Sequence, residues 1–141
     1  GWTHEADLIE GPRTNQHALA ASLGNPDELL LLALDGARIV GCVQLTRHAP
    51  SIAYISLLTV NPQRQATGLG QRILAEAERA AIHHFGATTA ELSVVSQRSA
   101  LIDYYQRRGY RLTGERRAFP IPFDPPFTLV VLDKPLQDVT A

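Results

Sequence analysis

Leu58-Thr59-Val60, the turn Asn61-Pro62-Gln63-Arg64-Gln65-Ala66-Thr67 and then Gly68-Leu69-Gly70 follow one another without a break. A strand ending at Val60 and a helix opening at Gly68 would aim backbone N–H groups and the positive helix end at one point, which suits an anion such as a phosphate. The two glycines have two readings. They let an anion approach the backbone closely, or they only permit a tight strand-to-helix turn. Other phosphate loops fail by residue. A nucleoside-triphosphate loop needs Lys and Ser/Thr where Gln71 and Arg72 stand. A dinucleotide fingerprint needs a third small residue where Ile73 stands.

A second group of reactive side chains lies in Tyr104-Tyr105-Gln106-Arg107-Arg108-Gly109-Tyr110, where two phenols precede a glycine at a helix end. His83-His84 has no partner at metal-ligand spacing and reads as a surface pair at a helix C-terminus. The stretch Arg98 to Arg117 carries Arg98, Arg107, Arg108, Arg111, Arg116 and Arg117 against Asp103 and Glu115, a solvated face or a site for an anion.

These residues need elements to hold them. Asn15 to Leu23 reads as a short helix with Ala18, Leu19 and Leu23 on one face, stopped by Gly24-Asn25-Pro26. Glu28 to Leu34 and Ile39 to Gln44 are apolar runs joined by Asp35-Gly36, the chemistry of a tight hairpin. Ile52 to Val60 is a third strand, ended by Asn61-Pro62. From Gly68 to Phe85 the apolar positions Leu69, Ile73, Leu74, Ala77 and Ala81 recur at helical spacing, with Gly86 as a left-handed cap. Thr88 to Val95 reads as a strand, Ser99 to Arg108 as a helix capped by Gly109, and Tyr110 to Phe119 and Phe127 to Leu132 as final strands. The prolines between them, Pro120, Pro122, Pro125 and Pro126, keep that connection out of a central ladder. The predicted order is α-β-β-β-α-β-α-β-β, an α/β (α+β) domain.

The chain has 141 residues, enough for one core and too few for two, so 1–141 is expected to be a single domain. Its 45% hydrophobic content excludes a disordered tail. A formal net charge of -1 disfavours a nucleic-acid partner. The longest apolar run, Leu29 to Leu34, is far short of the about 18 residues of a membrane span. The lone Cys42, in a strand interior, points to a reducing compartment and a cytoplasmic location. The chain opens without a methionine, which suggests that its native start lies upstream.

Val60 to Gly70, followed by Leu74, resembles the Q/R-x-x-G-x-G/A acyl-CoA signature of the GCN5-related N-acetyltransferases, and Tyr105 to Tyr110 resembles that superfamily's Tyr-x-x-x-Gly-Phe/Tyr segment. The resemblance implies a mixed, mostly antiparallel sheet flanked by helices and splayed at the fourth family strand. The first family strand and most of the first helix would be absent from this chain. It also implies acetyl-CoA as co-substrate, with no metal. The backbone of Leu58, Thr59 and Val60 would pair with the pantetheine arm, and Gln65, Ala66, Thr67, Gly68, Leu69, Gly70 and Gln71 would receive the pyrophosphate, with Arg64 and Arg72 nearby. The asparagine often found after the fifth family strand is replaced here by Ser96-Gln97-Arg98-Ser99.

The implied reaction is direct attack of a primary amine, on a small molecule or a peptide, upon the thioester, so Cys42 is not needed as a nucleophile. An alkyl amine of pKa about 10.4 is neutral in only about one molecule in 2,500 at pH 7, a deficit of roughly 4.6 kcal/mol, so a base must take the proton. Ile52 to Val60 carries no acid; Glu91 on the next strand is the nearest, with His48 and Glu5 as alternatives. By resemblance Tyr105 assists departure of the coenzyme A thiolate; full proton transfer from an ordinary tyrosine is uphill by roughly 2 kcal/mol, so hydrogen bonding carries the role. Tyr104 is the other phenol at that place. Trp2, His4, Glu5, Tyr54 and the loop Phe119 to Phe127 are candidate walls for the acceptor. The family also forms homodimers through its last strands. The alternative reading is a non-catalytic acyl-CoA sensor or structural module on the same fold.

Overall fold

A two-residue turn at Gly36 (φ 63°) and Ala37 joins β3 (Glu28–Asp35) to β4 (Arg38–Ala49), the expected hairpin, with Gly36 as the positive-φ residue and Asp35 closing the strand. In the computed structural model, which describes residues 6–9, 16–21, 25–64, 67–118 and 128–137, the meander continues into β5 (Ile52–Val60). A 3-10 turn at Pro62–Arg64 then leads to α1 (Leu69–Phe85), β6 (Thr89–Val95), α2 (Ser99–Arg107), β7 (Arg111–Ala118) and β8 (Thr128–Pro135). Upstream lie β1 (Ala6–Ile9) and β2 (Gln16–Ala21). The described strands form one sheet in the order β1-β2-β3-β4-β5-β6-β8-β7, antiparallel throughout except for the parallel pair β5–β6.

The first segment corrects the sequence reading. Gln16–Ala21 is a strand paired antiparallel with Leu30 to Asp35, not part of a helix, and a further strand precedes it. Ala18, Ala20 and Ala21 favour helix intrinsically, but the open edge of β3 offers a ladder of backbone hydrogen bonds, and tertiary pairing overrides the weak propensity. Whether the first family strand precedes Gly1 lies outside the described residues.

The core is a layer between one face of the sheet and the two helices. Leu29, Leu31, Val43, Leu45, Ala53, Ile55, Ala90, Leu92, Val130 and Leu132 meet Leu69, Ile73, Leu74, Ala77, Ala81 and Phe85 of α1 and Tyr105 of α2. Gly41 makes this closeness possible. A Cβ there would stand 2.5 Å from Ile73 Cδ1 and 2.9 Å from the Thr59 carbonyl oxygen. Gly86 ends α1 in the left-handed region (φ 66°), its N–H donating to the Ile82 carbonyl.

Candidate active site

The site begins where two strands part. β5 and β6 pair over Ile52↔Thr89, Ala53↔Ala90 and Tyr54↔Glu91, and beyond Tyr54 the β6-facing edge of β5 has no ladder partner among the described residues. On the other side β5 stays bonded to β4 out to Gly41↔Val60. The register there slips by one residue between Gln44↔Ser56 and Cys42↔Thr59, a bulge that puts Leu57 at φ 55°. Its carbonyl accepts from Thr59 Oγ1 at 3.1 Å and lies 3.7 Å from Cys42 Sγ. Leu58 and Val60 pack on the core, so the bulge leaves Leu57 and Thr59 outward. The open edge is thus made of Leu58, Thr59 and Val60, the three residues expected to meet an extended ligand arm.

That edge leads directly to the helix start. Gly68 is the N-cap at φ 83°, no side chain caps the helix, and its first turn carries no acidic residue. A Cβ on Gly68 would touch nothing within 4 Å, so glycine serves the backbone conformation there. At Gly70 a Cβ would fill the cleft, 3.4 Å from Val60 Cγ2 and 3.7 Å from the Tyr104 hydroxyl. Leu69 is buried under α1, Thr67 and Gln71 are exposed, and Gln65 and Ala66 lie outside the described residues. Arg72 is exposed.

Past Gly70 the surface opens into a groove of about 250 Å³ lined by Gln71, Leu74, Ala75, Glu78, Arg107, Arg108 and Lys134. Arg108 lies over the Tyr104 ring at 4.9 Å, and its Nε is buried with no hydrogen-bond partner in the protein. A buried cationic N–H left unpaired costs free energy that an anionic ligand would recover. Open strand edge, uncapped glycine turn and an arginine whose Nε lacks a partner therefore fit an elongated, phosphate-bearing acyl donor. The Arg108 contribution was hidden in the sequence inside a general arginine excess.

The phenols separate. Tyr105 is buried, in edge-on contact with Tyr104 (5.4 Å between centroids) and Tyr110 (5.8 Å). Burial pushes its hydroxyl pKa up, Tyr104 adds to the rise and the Arg98 charge opposes it, so Tyr105 stays protonated and able to donate. The hydroxyl beside Gly70 is that of Tyr104. Tyr110 donates to Glu78 Oε2 at 2.8 Å, while Lys134 Nζ donates to Glu78 Oε1 at 2.9 Å, tying α1, the end of α2 and β8 together.

On the sheet face away from the helices, Glu91 is buried and its Oε1 accepts from Arg117 at 3.0 Å. His48 Nε2 lies 3.9 Å from the same oxygen, on a half-exposed side chain. The Arg117 guanidinium is shared with Glu115 at 2.7 Å, which holds the Glu115 carboxyl below its usual range. Tyr54 and Ser93 share a short hydrogen bond across the point where the strands part. The structure thus joins Glu91 with His48, two residues the sequence offered as alternatives, and adds Arg117, marked in the sequence only as part of the arginine-rich stretch, and Ser93, which no local pattern marked. Trp2, His4, Glu5 and Phe119 to Phe127 lie outside the described residues. Cys42 is a free thiol on β4, and no group of three or more His, Cys, Asp or Glu among the described residues can hold a metal ion.

Residues 6–120 match the profile of the Acetyltransferase (GNAT) domain, and the chain belongs to that family. It is an acyltransferase of the GNAT type. Solved structures agree on the fold. A GNAT family acetyltransferase from Elizabethkingia anophelis with acetyl-CoA bound superposes with a TM-score of 0.73 over 88% of this chain and 100% of that one, at 18% identity. A spermidine N-acetyltransferase chimera from Vibrio cholerae and hSSAT gives 0.68 over 80% and 68%, at 14% identity. The IAA acetyltransferase from Bacillus cereus gives 0.64 over 78% and 79%, at 19% identity. No curated protein sequence matches the chain.

Proposed function

We propose that the protein transfers the acetyl group of acetyl-CoA to a primary amine of a small molecule or peptide by direct attack on the thioester. The observation that carries this reading is the parting of β5 and β6 after Tyr54↔Glu91, with the freed edge running straight into the uncapped start of α1. Leu58, Thr59 and Val60 hold the donor's arm by main-chain pairing, as an added strand would be held. Thr67, Gly68, Leu69, Gly70 and Gln71, with Gln65 and Ala66 by sequence, receive its phosphates. Arg108 supplies a cation at the far end.

Tyr105 donates a hydrogen bond to the departing thiolate, the role for which a neutral, buried phenol suits it. Glu91 takes the ammonium proton. It shares a sheet face with Tyr54 and Ser93, whose hydroxyls lead from the open part of the strands, and His48 offers the exit to solvent. The chain acts as one domain, in the cytoplasm, where the lone Cys42 thiol remains reduced. No helix among the described residues is long and apolar enough to cross a membrane. The amine is the natural partner, and pairing of two chains through β7 and β8 is compatible with the exposed outer strand β7.

Calorimetric titration with acetyl-CoA, with free coenzyme A for comparison, tests the reading first. Micromolar binding followed by amine-dependent thiol release is expected. Absence of binding to either ligand overturns the reading.

A further inference from the structure

Tyr54 and Ser93 stand at the foot of the opening between β5 and β6. Among the described residues Tyr54↔Glu91 is the last pair of that parallel ladder, and Ser93 is two positions further along β6, so the hydrogen bond between the two hydroxyls crosses the gap at its first open step. Both side chains leave the sheet on the face away from the helices, since Ala53, Ile55, Leu92 and Val94 take the core face. The crossing is firmly held. Tyr54 is paired with Thr46 of β4 and lies against the His48 ring, 6.2 Å between centroids, while Ser93 is paired with Val131 of β8. Next to it the buried Glu91 is tied to Arg117.

The direction of the donor brings its acyl end toward this place. With the phosphates at Gly68 to Gln71 and the arm running along Val60, Thr59 and Leu58, the thioester lies beyond Leu58 on the way to Tyr54. Over those strand positions the gap narrows from a free edge to a paired spacing of about 4.8 Å, where no alkyl chain fits between the backbones. The Tyr54–Ser93 bond closes it one step earlier. Each methylene added to the acyl group extends it into this narrowing, against two side chains that their neighbours keep from moving apart. Resting on the acetyltransferase reading above, we infer that Tyr54 and Ser93 set the length of the acyl group: the pair forms a floor that admits acetyl and turns away medium-length chains such as hexanoyl.

Binding tests this without knowledge of the amine. Free coenzyme A, acetyl-CoA, propionyl-CoA and hexanoyl-CoA are titrated calorimetrically into wild type, Tyr54→Ala and Ser93→Ala. In wild type hexanoyl-CoA is expected to bind about tenfold or more weakly than acetyl-CoA, the scale on which a fitted pocket discriminates by methylene groups, with propionyl-CoA between them. Tyr54→Ala removes the ring and brings hexanoyl-CoA to near equality with acetyl-CoA, at unchanged affinity for free coenzyme A, which has no acyl group to meet the floor. Ser93→Ala keeps the ring but removes its hydrogen-bond partner, and shifts the ratio part of the way. Wild type binding hexanoyl-CoA as tightly as acetyl-CoA overturns the inference, and so does a wild-type ratio in a Tyr54→Ala that keeps a cooperative thermal transition or, if it has none, in Ser93→Ala. Failure of the transferase reading looks different: neither free coenzyme A nor acetyl-CoA then binds wild type, and both readings fall together.

Discussion

At the scale of single residues, neighbouring phenols are assigned to different steps. Tyr105→Phe is expected to lower kcat by about tenfold or more with acetyl-CoA affinity unchanged, because only the transition state places charge on the departing sulfur. Tyr104→Phe is expected to weaken acetyl-CoA binding a few-fold with kcat little altered, since its hydroxyl lies by Gly70; stopped-time thiol release and calorimetry distinguish the two. The motif spacing to Gly109 already singled out Tyr105 for the thiolate; what it left open was the work of Tyr104, because adjacent helical residues point about 100° apart and the packed partner of each is set by the tertiary structure. The same tyrosines set a pH limit. Burial raises the pKa of Tyr105 and, with Glu78, that of Tyr110, so the folded state keeps protons that the unfolded chain releases near pH 10. Stability is therefore intact below about pH 10 and falls as pH rises above it. Urea unfolding across that range is expected to show the fall, and Tyr110→Phe to flatten part of it.

At the scale of elements, glycines mark where backbone must come close. Gly41→Ala forces Ile73 and the Thr59 carbonyl apart, and a loss of about 1–3 kcal/mol in chemical denaturation is expected. Gly68→Val has no steric neighbour to displace, so the fold survives at a cost of about 1–2 kcal/mol while acetyl-CoA binding is abolished in the calorimeter. The α1 boundaries were legible in advance because Leu69, Ile73, Leu74, Ala77, Ala81 and Phe85 repeat at the helical period and Gly86 supplies the cap. The Gln16–Ala21 strand was not, since its alanines carry a local preference that its pairing with β3 reverses.

At the scale of the whole molecule, Glu91 on β6 and Arg117 on β7 meet across the intervening β8, so one ion pair ties the sheet's outer strands to the face beneath the opening. Arg117→Met leaves Glu91 buried without its hydrogen-bond donor and is expected to cost about 1–3 kcal/mol, with Glu91→Gln/Arg117→Met losing less than the sum of the single changes in a double-mutant cycle. Glu91→Gln alone is expected to lower the rate while donor binding persists. What sequence alone determined are features written in short windows: the hairpin at Asp35-Gly36, the periodic stripe of α1 and the glycine turn that names the family. These depend on backbone preferences and on side chains one or two turns apart. Tertiary structure decided the parting of β5 from β6, the strained outward Leu57, the orphaned Arg108 Nε and the Glu91–Arg117–His48 cluster. Each joins residues distant in the chain or a register slip between strands, and the energy that selects it arises only when the whole sheet is assembled.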